Sequence, residues 1–99
     1  MADEQDREYV KVAEDTVSVL FDKYANAKPA EKLDLKPALR AASHDMLHAR
    51  LALFKQGTLT KPEDMVQLRA LKAQIEAAAD AQAIALLALK LAARLGAFA

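Results

Sequence analysis

The sequence predicts an all-α protein, a three- to four-helix antiparallel bundle with a long C-terminal helix. Three observations lead there. Ala, Leu, Lys and Glu are abundant, while 99 residues hold only two glycines and three prolines, a composition that favours helices. Apolar residues recur at steps of three and four along most of the chain, the period of one helical face. The stretch Ile84 to Ala99, IALLALKLAARLGAFA, is apolar at thirteen of sixteen positions and must be covered by something.

Helix 1 is expected over about residues 3–25. Asp3, Glu4, Asp6 and Glu8 crowd its start, where negative charge suits the helix dipole. Val10, Ala13, Val17, Leu20 and Tyr24 make one face, which Tyr9 and Phe21 widen. Residues 26–36, NAKPAEKLDLK, read as a connector. Pro29 and Pro37 disfavour helical geometry at Lys28 and Lys36, so one helix through both is not expected.

Helix 2 is expected over about residues 37–55, with Pro37 in its first turn. Leu39, Ala42, Met46, Ala49 and Leu53 form one stripe. Leu47, Leu51 and Phe54 form a second beside it, an arc wide enough to touch two neighbours. Arg50 falls within that arc and is expected to snorkel out or to pair with a carboxylate on helix 1. An anion-binding arginine is the other reading.

Gly57 suits the end of helix 2. Thr60 with Glu63 reads as a capping box, and Pro62 fits a first turn. From there the helical pattern continues to Gly96, giving a helix 3 of about residues 61–95. Unbroken, its roughly 35 residues would measure about 52 Å, against about 30 Å for helix 2. Either it overhangs the domain or it breaks near residues 77–83. The AAADAQA segment there is strongly helix-forming, so propensity favours continuity. At 100° per residue, Leu68, Leu71, Ile75, Ala78, Gln82, Leu86, Leu89 and Ala93 then share the face that packs inward. Ile84, Ala88, Leu91 and Leu95, with Phe98 beyond them, project the other way and are the expected partner-binding residues.

Length and composition bound the function. The chain is one domain, 1–99, with a modest core. Fourteen basic and fourteen acidic residues cancel, so a general nucleic-acid binder is not expected. With no cysteine, disulfides, thiolate metal sites and thiol catalysis are excluded. The acidic start is unlike a targeting leader, and the longest apolar run falls short of the roughly 20 residues of a spanning helix. A cytoplasmic protein is expected. Charge is uneven: residues 1–22 hold seven acids and two bases, and residues 23–61 hold eight bases and three acids. Attraction between an acidic helix 1 and a basic helix 2 is the simplest use of that asymmetry.

Few residues suggest chemistry. His44 and His48 stand four apart, a spacing that puts two imidazoles on one side of a helix. Asp45 stands where an HExxH protease has glutamate, but it is one methylene short and no third ligand shares that face. A metal site would need a carboxylate from another helix or subunit, and two exposed histidines are the simpler reading. Ser43 and His44 are sequence neighbours, so they point about 100° apart and form no dyad. Lys28, Lys32, Lys36 and Arg40 recur every four residues as a candidate nucleic-acid edge, which the two prolines interrupt. Neither an enzyme nor a cofactor is expected.

The reading is a non-enzymatic helical interaction, assembly or regulatory module, an oligomer that self-associates or binds a helical partner through its C-terminal helix. An alternative is a nucleic-acid-associated regulator using residues 28–61. A third is peripheral membrane binding through residues 84–98.

Overall fold

A computed structural model describes residues 4–56 and 60–97 of the chain. Among the described residues there are four helices and no strand: α1 (Glu4–Ala25), α2 (Pro29–Gln56), α3 (Pro62–Ala77) and α4 (Ala81–Gly96). They form an all-α bundle.

The first departure from expectation is α2. It absorbs all but the first three residues of the expected connector and runs for 28 residues with Pro37 inside it. Its start is well made. Pro29 takes the first helical position, where its missing N–H costs nothing, and Glu31 accepts a hydrogen bond from the Lys28 N–H at 3.0 Å. Pro37 is tolerated because it is exposed, on the side of the helix away from Leu35, Ala38 and Leu39, which are buried. The carbonyl it leaves unpaired, at Leu33, belongs to an exposed residue and can be hydrated. At about 1.5 Å per residue, α2 measures about 42 Å, matching the 43 Å long axis of a 43 × 21 × 17 Å molecule.

The C-terminal segment takes the broken form of the two expected, within the 77–83 window and against the continuity that propensity favours, with the break at 78–80. Ala78 (ψ 132°) and Asp80 (ψ 131°) are extended, and α4 folds back instead of prolonging α3. Both ends at the break are capped. Lys23 Nζ donates to the carbonyls of Glu76 and Ala78 at 3.0 and 2.8 Å. Asp80 Oδ2 accepts from the Ala83 N–H at 3.3 Å, as an N-cap side chain should. The trade favours the break. A few unmade helical hydrogen bonds cost about 1 kcal/mol each, while burying Ile84, Leu91 and Leu95 gives roughly 1.5–3 kcal/mol apiece.

Consecutive helices run antiparallel, so α1 lies parallel to α3 and α2 parallel to α4. Gln5 of α1 reaches Thr60, while Lys23 at the other end reaches Ala78. The α2–α4 pair is the most intimately packed. Ala38, Ala42 and Ala49 on α2 and Ala81, Ala88 and Ala92 on α4 are all buried, and small side chains let helix axes approach closely. Tyr9, Leu20, Leu53, Leu68 and Ile75 complete the core.

The start of α3 also differs from the sequence reading. Its N-cap is Lys61, not Thr60, and Asp64, not Glu63, accepts from the Lys61 N–H at 2.8 Å. Thr60 is instead tied to helix α1. The buried Asp6 accepts from the Thr60 N–H at 3.0 Å and from its hydroxyl at 2.5 Å. Asp6 therefore anchors a tertiary contact, beyond any effect on the α1 dipole. Gly57, expected to end helix 2, lies outside the described residues.

Candidate interaction surface

The break resets the helical phase, and with it the surface. Ile84, Ala88, Leu91 and Leu95, the expected partner-binding residues, are buried in the chain's own core, with Leu91 0% exposed. This corrects the expectation, whose premise was one continuous helix. Leu86 and Leu89, expected in the core, are exposed, Leu86 by 57%, and Ala93 is exposed as well. Phe98 lies outside the described residues.

The second stripe of α2 is the other apolar surface. Leu47 is 61% exposed and Leu51 68% exposed, with Phe54 exposed beside them. At spacing i, i+4, i+7 these three side chains share one face. The expectation that α2 would touch two neighbours is met by α1 and α4, yet neither covers this second stripe, and Phe21 of α1 is itself half-exposed. Arg50 stands within the strip, 3.5 Å from Glu14 of α1 and over the Phe54 ring at 5.8 Å. The expected pairing of Arg50 with a helix 1 carboxylate is therefore present. Exposed as it is, the pair contributes at most about 1 kcal/mol.

The basic edge acquires the geometry that the prolines put in doubt. Lys32, Lys36 and Arg40 lie on one continuous helix, with Lys28 immediately before it. Lys32 Nζ sits 5.5 Å from the Tyr24 ring centroid, a cation–π distance. Next to it, Phe21, Tyr24, Lys36, Leu39, Arg40 and Ser43 line a cavity of about 390 Å³. No spacing rule joins Phe21 and Tyr24 to Lys36 and Arg40, because the first pair lies on α1 and the second on α2.

The two histidines pack ring against ring, with centroids 4.4 Å apart. His44 Nδ1 is 3.4 Å from Asp45 Oδ1. Among the described residues no group of three His, Cys, Asp or Glu side chains is arranged to hold a metal, and His44 is largely exposed. Ser43 faces the α1 side and lines the cavity just described.

Tyr9 is a strongly perturbed group. Burial pushes its phenol up to about 12, with the negative charge of Asp64 adding to the shift and Arg94 opposing it. Its role is structural, as it belongs to the core. Among the described residues no helix is long and apolar enough to cross a membrane. No protein-family model matches this chain, and no curated protein or solved structure is significantly similar to it.

Proposed function

We propose that this chain is a small non-enzymatic interaction module that pairs with a second copy of itself through α2. The observation that supports this reading is the exposed strip Leu47–Leu51–Phe54. Contiguous apolar side chains on a helix surface are uncommon on monomers without a use, and i, i+4, i+7 anchors suit helix-to-helix docking. The strip is self-complementary. Leu51 lies at its middle, so two antiparallel copies bring Leu51 onto Leu51 and Leu47 onto Phe54, the arrangement a two-fold interface requires. The expected role of an assembly or adaptor module is kept, and its surface moves from the C-terminal helix to α2.

Sedimentation equilibrium from micromolar to millimolar concentration tests this. The wild type should show reversible dimerisation. Leu47→Glu with Leu51→Glu should give a monomer of unchanged helicity, since both positions are exposed and charge there does not trouble the fold. A wild type that stays monomeric at millimolar concentration would rule the pairing out.

A further inference from the structure

The cavity between α1 and α2 has two chemically distinct sides. Phe21 and Tyr24, three residues apart on α1, present aromatic rings, and Leu39 extends the apolar wall. Lys36 and Arg40, one turn apart on α2, supply two positive charges. Among the described residues neither cation has a carboxylate partner. Asp34, the acid nearest Lys36 in sequence, stands two residues away and so does not share its helix face, while Asp22 and Glu31 line a different cavity with Ala78 and Ile84. Ser43, one turn beyond Arg40, lines the same pocket, and its buried hydroxyl has no hydrogen-bond partner among the described residues. Buried polar groups of this kind call for an explanation.

We propose that this pocket binds the nucleotide unit, an aromatic base lying against Phe21 and Tyr24 with its phosphate on Lys36 and Arg40. A cavity of about 390 Å³ falls in the range of small-molecule sites, about 300–1,000 Å³, which are apolar with a few convergent polar groups. Any base can stack on an aromatic ring. The guanidinium of Arg40 offers a fork that matches phosphate oxygens, and Lys36 adds a point charge one turn away. Lys32, held over Tyr24, adds to the positive potential at that end. A turn of Ser43 about its χ1 gives its hydroxyl an acceptor on the ligand. The source is a free nucleotide or one residue of a single strand. In the second case Lys28 and Lys32 continue the cationic line past the pocket at about 6 Å of helix rise per step.

The site borders the pairing strip but does not depend on it, so the monomeric Leu47→Glu/Leu51→Glu variant serves as a parallel sample. Amide chemical shifts followed during titration with AMP should move for residues 21–24 and 36–43, saturably, in both the wild type and that variant. Adenosine alone and inorganic phosphate alone should each bind at least about tenfold more weakly, since each retains half of the contacts. Lys36→Glu with Arg40→Glu, both at exposed positions, should abolish the AMP shifts while helicity is kept. An oligothymidylate series assigns the source. Affinity that climbs with length and shifts Lys28 and Lys32 identifies a strand, and affinity flat beyond one unit identifies the free nucleotide. Unmoved amides at millimolar AMP would overturn the proposal, as would inorganic phosphate binding as tightly as AMP. So would phenyl phosphate binding more tightly than AMP, which would indicate a phosphotyrosine segment instead.

Discussion

Lys23 at the end of α1 donates to the carbonyl of Ala78 at 2.8 Å, and so closes α3 at the residue where the chain turns back. This contact joins residues 55 apart in sequence, and it explains why an alanine-rich segment stops being helical. The last carbonyls of a helix need donors, and an ammonium from a neighbouring helix supplies them with favourable charge at the negative end of the dipole.

Both caps at the break should be measurable. Lys23→Met should destabilise the fold by about 0.5–2 kcal/mol through the lost charge-assisted bonds. Asp80→Ala should cost about 1 kcal/mol as the loss of an N-cap. Urea unfolding of each variant and of the pair checks this, and the two losses should be non-additive because they serve one turn. Wild-type stability in both single variants would show that neither cap holds the break.

Pro37 is the residue the fold tolerates most reluctantly. Pro37→Ala restores a helical N–H and removes a ring clash at an exposed position, so it should stabilise the protein by about 1–3 kcal/mol. Thermal unfolding reads the change as a rise in Tm. A fall would mean that Pro37 itself is needed for α2 to follow the core.

Tyr9 sets an alkaline limit. Its phenol holds its proton up to about pH 12 in the fold but ionises near pH 10 in the unfolded chain. Between those values the folded state binds more protons, so stability falls as pH rises. This contribution is fully present below about pH 10 and lost by about pH 12. Tyr9→Phe should flatten the decline of stability across that window relative to wild type. Parallel declines in the two proteins would show that other groups govern alkaline unfolding.

The helical class, the boundaries of α1 and the inward face of α2 were legible because they rest on periodicity, which local sequence carries. Leu39, Ala42, Met46, Ala49 and Leu53 form the stripe the spacing predicts, all buried. Two misreadings have a shared cause: local propensity was overridden by tertiary burial. Two prolines suggested a connector, yet Leu35, Ala38 and Leu39 bury enough surface to hold a helix through the second. Alanines around Asp80 suggested continuity, yet the buried face of α4 rewards a turn. Asp80 itself was the visible signal, an N-cap residue masked by good helix formers on both sides. The surface followed the phase. Once the break is placed, Leu86 and Leu89 move outward and Leu91 and Leu95 inward, while the Phe21–Arg40 pocket depends on helix pairing that no local pattern encodes.

The inversion of α4 can be tested with one reagent. The chain has no cysteine, so Leu86→Cys and Leu91→Cys each introduce a single thiol, and the rates at which a thiol-reactive dye labels them report exposure directly. With Leu91 in the core and Leu86 at the surface, the thiol at 86 should label at close to the unfolded rate. The thiol at 91 should label at least about a hundredfold more slowly, limited by opening of the fold. Labelling at 91 as fast as at 86 would contradict the break at Ala78–Asp80 and restore one long helix with Leu91 facing outward.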